Sequence, residues 1–316
     1  MAALAMAVFA SCSNEDELSQ SNYPADNVVR IMASMDGMDT RASYGSSTAK
    51  LSLFGFCINN ANSTTYTYDN VKVTKNGDNN WNPATQMLWQ NSTAAVDILA
   101  YAPYQAGNAG IFGKKDYAFS VQTNQNTADD YSSDLIVYKQ TGFKPGTELN
   151  TSKAVEVSFT HLLSQLNLTI ELRDQFNQDE NNPVAAGFVT DVKVNGTIIN
   201  SKVNFAASPI SVQVDGTQAA DITPETTGFK AAGKTTDHAA FNYSAIVIPQ
   251  TVTAGNFSIS FKVNGTDYIW TSTSNVNFVS GKKHQLSLLV GKDVVQVNGI
   301  TATPWGKENI IQGETD

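Results

Sequence analysis

Three histidines and two cysteines are the residues of this chain whose types most often bind metals or attack substrates. His161, His238 and His284 lie far apart, and the sequence contains no HExxH, CxxC or His-x-His motif. Transition-metal sites are usually built from such closely spaced ligands. We therefore predict no metal and no cofactor, and we expect His161 and His284 to be hydrogen-bonded structural residues.

Acidic and aromatic residues offer two alternative binding sites. The carboxylates of Asp129, Asp130 and Asp134, or that of Asp78 in its Asn-rich loop, could hold Ca²⁺ through oxygen ligands. Neither segment follows the EF-hand pattern, so solvated loops are the favoured interpretation. A set of aromatic residues could stack on a sugar or fill a core, and core packing is the commoner role. Its members are Trp81, Trp89, Tyr101 and Tyr104.

Motifs of nucleophilic catalysis and phosphate binding are also missing from the sequence. There is no Gly-x-Ser-x-Gly elbow, and Gly281-Lys282-Lys283 lacks the upstream glycine of a phosphate-binding loop. A glycoside hydrolase would need two carboxylates that folding brings together, which a sequence does not reveal. We therefore predict that the protein is not an enzyme, with glycan hydrolysis as the enzymatic alternative.

Cys12 follows a short apolar stretch, residues 1–11, which has the length of a signal-peptide core. Small residues before a cysteine resemble a bacterial lipobox, whose cysteine is acylated, although Phe9 stands where leucine is usual. We predict a lipoprotein signal peptide over residues 1–12, with palmitate or a similar acyl chain on Cys12. The alternative is a plain secretory peptide with an incidental cysteine. No Lys or Arg precedes the stretch, so we expect the precursor to begin further upstream.

Cys57 is then the single cysteine of the mature chain, so it cannot form an internal disulfide. It lies within residues 51–58, an apolar run that is typical of a strand. A thiol in such a run usually packs as a small hydrophobic group. We therefore expect Cys57 to be buried rather than to act as a nucleophile.

Composition and charge restrict the partners of the chain. Hydrophobic residues make up 41% of the sequence and charged residues only 16%, which suits an extracellular β protein with a neutral polar surface. The net charge of −9 leaves no basic surplus for phosphates, so nucleic acid is not expected as a partner. No apolar run reaches the roughly 20 residues of a membrane-spanning helix.

Period-two alternation of apolar residues dominates the chain and predicts an all-β protein. The first such segment is 27–36, in which Val29, Ile31, Ala33 and Met35 share one face. We expect this face to be buried and the opposite face to contact solvent.

The remaining pattern predicts about fifteen short strands and no long helix, which fits two β-sandwiches in tandem. Asn-Gly pairs at 195–196 and 264–265 predict two-residue hairpins. We place a flexible tether at residues 13–26, an N-terminal β-sandwich at 27–158 and a C-terminal β-sandwich at 159–316.

Four stretches of the sequence carry further motifs: 157–166 (VSFTHLLSQL), 244–251 (SAIVIPQT), 280–288 (SGKKHQLSL) and 300–305 (ITATPW). Their order and spacing resemble the fimbrillin family of Bacteroidales, the subunits of type V pili and their surface-lipoprotein relatives. The lipobox and the Thr40-Arg41-Ala42 tripeptide fit this resemblance. It implies a fold of two tandem transthyretin-like β-sandwiches.

In polymerising members of that family, a protease cuts after an arginine that follows the first strand. That strand leaves, and the C-terminal segment of another subunit fills the groove. The resemblance therefore implies cleavage between Arg41 and Ala42, with Arg30 as the alternative site, and displacement of strand 27–36. The donor strand would come from one of two segments, with Val295 and Val297 or with Ile310 and Ile311 as its apolar side chains.

The resemblance thus implies a structural subunit of a cell-surface fimbrium that supports adhesion. It would reach the outer membrane through a lipid anchor, and then polymerise with copies of itself or with other fimbrial subunits by donor-strand exchange. The alternative is a non-polymerising surface lipoprotein, or a pilus-tip adhesin, that binds a glycan or a host protein.

Overall fold

The computed structural model describes residues 22–35, 50–77, 80–127, 130–177, 184–233, 236–292 and 294–305. In these ranges twenty-one strands dominate the chain, and the expectation of an all-β protein is confirmed. The strands outnumber the predicted fifteen because several are only three or four residues long, too short to show a period. The helical pieces are one α-helix, α1 (Pro145–Glu148), and the 3-10 turns Ile111–Gly113, Asp174–Phe176 and Ala186–Phe188.

We number the strands in chain order. The strands of the first half are β1 (Ile31–Met35), β2 (Leu53–Asn59), β3 (Tyr68–Lys75), β4 (Trp81–Pro83), β5 (Val96–Ala102), β6 (Tyr117–Ser120), β7 (Ile136–Phe143) and β8 (Val155–His161). The strands of the second half are β9 (Ser164–Leu172), β10 (Val189–Ile198), β11 (Asn200–Asn204), β12 (Ser211–Val214), β13 (Ala219–Ile222), β14 (Glu225–Lys230), β15 (Ala239–Val247), β16 (Gln250–Val252), β17 (Ser258–Val263), β18 (Thr266–Thr271), β19 (Val276–Phe278), β20 (Lys282–Val290) and β21 (Val295–Pro304).

Seven strands of the first half form one sheet in the order β1-β8-β7-β5-β2-β3-β4. The β1–β8 pair is parallel, whereas all the other neighbours in this sheet are antiparallel. One face of the sheet packs around a core of large aromatic side chains, in which the Phe54 ring lies 5.0 Å from Trp81 and 5.2 Å from Phe159.

The second half is a β-sandwich of a five-stranded sheet, β14-β15-β9-β20-β21, and a four-stranded sheet, β13-β10-β17-β18. Alternate residues of each strand point into one shared core, as Leu166, Leu168, Ile170 and Leu172 do in β9. Such alternation is what a sheet with one buried face requires. The β-sandwich expectation is confirmed here, and β16 pairs with β19 as a separate two-stranded sheet.

A third layer connects the halves. Strand β6 of the first half pairs with β11 of the second, which pairs in turn with β12. This layer covers the outer face of the first sheet, where the Tyr117 ring lies 5.9 Å from Tyr101 and 5.1 Å from Phe205. The predicted boundary between 158 and 159 lies within β8, and the core of the second half extends into this layer.

Two long polar side chains reinforce this connection. The amide of Gln125 donates to the carbonyl of Ile246 at 2.9 Å and accepts from its N–H at 2.7 Å, as a neighbouring strand would. Lys139 donates from Nζ to the carbonyls of three consecutive residues, 205–207. Burial lowers the pKa of Lys139, and the carbonyl oxygens replace the water that its ammonium group loses.

The two Asn-Gly pairs have different structures. Asn264-Gly265 joins β17 to β18 with both φ angles positive, at 48° and 82°, so this hairpin prediction is confirmed. The hairpin predicted at Asn195-Gly196 is wrong, because β10 continues through both residues. Gly196 instead has a φ of 91° at an irregularity in the pairing of β10 with β13, which is another use of glycine in a strand.

We predict that Gly196→Ala destabilises the protein far more than Gly216→Ala. The φ angles of the two glycines match, at 91° and 90°. A Cβ atom at Gly196 would collide with the carbonyl oxygen of Asn256, whereas a Cβ atom at Gly216 would have no neighbour within 4 Å. Urea denaturation should show a loss of about 3 kcal/mol or more in the unfolding free energy for Gly196→Ala, and about 1 kcal/mol for Gly216→Ala. Equal losses would contradict the steric explanation.

Candidate functional site

Residues 27–35 bridge two parts of the first half by backbone hydrogen bonds. At the start of this segment, the N–H of Val29 donates to the carbonyl of Met87 at 2.9 Å, and the N–H of Trp89 donates to the carbonyl of Asn27 at 2.8 Å. The segment then continues as β1, which pairs in parallel with β8 over five residues. Because β8 is its one neighbour in the sheet, β1 is an edge strand.

Side chains of this segment alternate between the core and the surface, as its sequence predicts. Val29, Ile31 and Ala33 are buried in the core of the first sheet, and Met35 packs against that core while half-buried. Arg30 lies on the opposite, exposed face. The segment thus covers the core with one apolar face.

Asp26 and Arg30 hold the start of the segment at the surface. The guanidinium of Arg30 donates to both oxygens of the Asp26 carboxylate, at 2.6 and 3.1 Å, and the N–H of Val28 donates to the same carboxylate at 3.1 Å. These hydrogen bonds lower the pKa of Asp26 to about 2, and the bond from Arg30 has the largest effect. Arg30, the alternative cleavage site, is therefore bonded to Asp26 within a hydrogen-bonded segment rather than lying in an open loop.

A second site lies where the described chain ends. Trp305 follows β21 directly, is only 6% exposed, and stacks on His161 with the ring centroids 3.9 Å apart and the planes 1° from parallel. His161 is the last residue of β8, and its Nδ1 lies 2.9 Å from a carboxylate oxygen of the buried Asp134. The carboxylate thus orients the imidazole ring whose face the indole covers.

Three of the sequence motifs meet at this stack. The hydroxyl of Ser280 donates to the carbonyl of Leu162 at 2.6 Å, and the hydroxyl of Ser164 donates to that of Val279 at 2.7 Å. The N–H of Trp305 donates to the carbonyl of Gly281 at 3.0 Å. The stretches 157–166, 280–288 and 300–305 therefore form one junction, which explains structurally why they occur together.

The C-terminal candidates for a donor strand lie in different parts of the chain. Val295 is half-buried and Val297 is 44% exposed, and both belong to β21, the edge strand of the five-stranded sheet. Ile310 and Ile311 lie outside the described residues. So do Cys12, Arg41 and Ala42, together with Asp78 and Asp129.

The other chemistry-bearing residues serve the core. Burial raises the pKa of the Cys57 thiol to about 12, as expected of a buried and unreactive cysteine. His284 accepts a hydrogen bond from the N–H of Val279 at 3.1 Å, and burial lowers its pKa. Trp81, Trp89 and Tyr101 are buried, so the packing interpretation is confirmed for these three residues, whereas Tyr104 is half-buried.

Asp134 has a structural partner that its place in the acidic cluster did not predict. Its carboxylate is fully buried against His161. No group of three or more His, Cys, Asp or Glu side chains suited to a metal ion occurs among the described residues. Among the described residues, every helix is too short or too polar to cross a membrane.

Sequence reasoning missed the contact between Asp134, His161 and Trp305. The three residues are far apart in the sequence, and no spacing rule relates them. The one available signal was that His161 and Trp305 both belong to motifs of the same resemblance.

Comparison with known proteins assigns the family. The profile of the fimbrillin-like family matches residues 40–305. The chain belongs to the fimbrillin-like family. The resemblance seen in the sequence is thereby confirmed. Membership makes the chain a fimbrial subunit or adhesin of the cell surface, with a structural rather than an enzymatic role. No curated protein matches the chain in sequence.

Solved structures agree with the fold of this fimbrillin-like chain. A candidate cell adhesion protein from Bacteroides uniformis superimposes with a TM-score of 0.61 at 20% identity, over 89% of this chain and 99% of that one. Another from Bacteroides ovatus gives a TM-score of 0.66 at 12% identity over the same shares. A fimbrial protein from Bacteroides vulgatus gives 0.53 at 16% identity, over 87% and 99%. At such identities the likeness concerns the fold alone.

We predict that Ile31→Ser destabilises the first half whereas Met32→Ser does not. Ile31 is buried in the core, but the next residue of the same strand points to the other face and is half-buried. Thermal or urea unfolding should show a loss of about 2–4 kcal/mol for Ile31→Ser and under about 1 kcal/mol for Met32→Ser. Similar losses for both variants would show that the apolar face of β1 does not hold it in place.

Proposed function

We propose that this fimbrillin-like protein is a fimbrial subunit that assembles by donor-strand exchange after export as a lipoprotein. Acylation of Cys12 anchors the precursor to the outer membrane, cleavage after Arg41 separates the first strand from the remainder of the chain, and a neighbouring subunit then replaces that strand. The observation that carries the proposal is the position of β1, an apolar edge strand paired with β8 alone in its sheet.

The physical argument concerns what the removal of residues 27–35 would leave behind. One edge of β8 would lose its hydrogen-bond partners, and so would the backbone groups of Met87 and Trp89. The core would also lose the cover of three buried side chains, Val29, Ile31 and Ala33. Burial of each large apolar side chain stabilises a protein by about 1.5–3 kcal/mol, so the open groove would favour any strand with the same alternation.

Treatment of the purified precursor with an arginine-specific protease tests cleavage and assembly together. We expect a new N-terminus at Ala42 and a ladder of oligomers on denaturing gels of unboiled samples. Arg41→Ala should abolish both, whereas Arg30→Ala is the matched control and should leave both unchanged. An N-terminus at Ile31 would move the cleavage site to Arg30, and a cleaved chain that stays monomeric would overturn exchange.

Metabolic labelling with palmitate tests the lipid anchor separately. We expect label on the unsubstituted precursor and none on Cys12→Ala, because Cys57 is buried and its pKa is raised to about 12. Cys57→Ala is the matched control and should retain the label. Label that persists in Cys12→Ala would show that the acylated residue is elsewhere, and absence of label from the unsubstituted precursor would favour the plain secretory peptide.

The alternative is a non-polymerising adhesin or tip subunit that binds a glycan or a host protein. It is favoured by the two solved structures with TM-scores of 0.61 and 0.66, which belong to candidate cell adhesion proteins. Cleavage without a ladder in the protease experiment would support this alternative.

A further inference from the structure

Three arginines occur in the sequence, namely Arg30, Arg41 and Arg173. A cut after Arg41 would separate the proposed lipid anchor at Cys12 and the first strand from the remainder of the chain in one step. A cut after Arg30 would also remove the anchor, but Ile31–Met35 would stay joined to the remainder and paired with β8. The choice between these two arginines therefore decides whether the subunit leaves the membrane with its groove open or still filled.

The carbonyl group that a protease has to attack is hydrogen-bonded at both arginines of the described chain. The N–H of Val155 donates to the carbonyl of Arg30 at 2.8 Å, and the N–H of Phe176 donates to the carbonyl of Arg173 at 3.1 Å. During proteolysis the attacked carbonyl has to enter the oxyanion hole, where N–H groups of the protease bind it instead. Both peptide bonds therefore become cleavable only when the chain around them opens locally.

Backbone hydrogen bonds also hold the residues on both sides of Arg30. On its N-terminal side, the N–H of Val29 donates to the carbonyl of Met87, and the carbonyl of Asn27 accepts from the N–H of Trp89. On its C-terminal side, β1 pairs with β8 over five residues. A protease prefers exposed chain and binds it in an extended form, so this segment would first have to leave the sheet.

The side chain that an arginine-specific protease recognises is bound as well. A turn over residues 24–27, in which Asn27 has a φ of 57°, brings the carboxylate of Asp26 beside the guanidinium of Arg30. The guanidinium donates to both carboxylate oxygens, and also to the carbonyl of Val28 at 3.3 Å. A protease of this specificity binds the guanidinium through a carboxylate of its own, so Asp26 occupies the donors that the protease needs.

We infer that the pairing of Asp26 with Arg30, together with the hydrogen bond from Val155, protects the chain from cleavage after Arg30, so that loss of the anchor and opening of the groove are a single event at Arg41. The inference rests on the proposed lipid anchor and the proposed cleavage after Arg41. The paired side chains are 43% and 51% exposed, and such exposed pairs contribute little to overall stability. The effect of the pair is therefore local, because it keeps residues 27–30 from detaching.

Proteolysis of the full-length chain carrying Arg41→Ala tests the protection without any assembly. Mass spectrometry follows the appearance of an N-terminus at Ile31, and cleavage after Arg173 in the same sample reports on overall unfolding. Cleavage after Arg30 should be about a hundredfold or more slower than in the same chain unfolded in urea, because the folded segment opens rarely. Both rates are normalised to hydrolysis of a short arginine peptide under the same conditions. Equal normalised rates would overturn the protection.

Substitution of Asp26 tests the role of the ion pair in that background. Asp26→Ala, added to Arg41→Ala, should speed cleavage after Arg30 about three- to tenfold, because the guanidinium and the start of the segment lose their charged partner. Cleavage after Arg173 should stay unchanged, because the lost bonds lie in the first half. An unchanged rate at Arg30 would overturn the role of Asp26. Equal acceleration at both arginines would overturn it too, since global unfolding would then explain the result.

Two further variants separate the charge from the turn and control for a lost carboxylate. Asp26→Asn keeps an oxygen for the N–H of Val28 but loses the charge, so its rate at Arg30 should lie between those of the unsubstituted residue and Asp26→Ala. Asp221→Ala removes an exposed carboxylate from β13 and is the matched control, which should change neither rate. Acceleration at Arg30 by Asp221→Ala would show a general effect of charge and would overturn the local role of Asp26.

Chains cut after Arg30 test the consequence for assembly. Digestion of Asp26→Ala in the Arg41→Ala background should yield chains that begin at Ile31 and remain monomeric, because β1 still fills its place. A ladder of oligomers from these chains would overturn that consequence. Absence of a ladder from the unsubstituted chain cleaved after Arg41 would overturn the proposed exchange, whereas the cleavage rates at Arg30 would still decide the protection.

Discussion

The backbone hydrogen bonds of residues 27–35 close the core of the first half. This segment pairs with Met87 and Trp89 at its start and with β8 along the rest of its length. Buried backbone groups have to be paired, so this position in the fold requires an extended strand. Along β1 itself the departure of the segment breaks the pairing on one side only, at lower cost than for a central strand, whereas at its start the bonds to Met87 and Trp89 break as well.

Strand β8 links the two sites described above. One edge of β8 pairs with β1, and its last residue, His161, stacks on the ring of Trp305. The first strand and the residue that follows the last strand therefore contact the same element. Asp134 supports this arrangement from the loop that precedes β7, where its buried carboxylate fixes the orientation of the imidazole.

Two copies of the same short motif fold differently in this chain. Both Asn-Gly pairs satisfy the local rule for a hairpin, yet only Asn264-Gly265 turns the chain. At Gly196 the same backbone freedom serves close packing against Asn256, because β10 continues between two partner strands there. A local pattern thus indicates what a residue permits, whereas its neighbours in space decide how that freedom is used.

The sequence alone determined the all-β class, the inward face of residues 27–35 and the family, because alternation and motif order are properties of the chain itself. It also identified the buried character of Cys57, Trp81, Trp89 and Tyr101. Only the tertiary structure decided that β1 lies at an edge in parallel with β8, that β6 joins the second half, and that Asp134, His161 and Trp305 meet. These contacts join residues that are distant in the chain, and hydrophobic periodicity carries no information about which strands become neighbours.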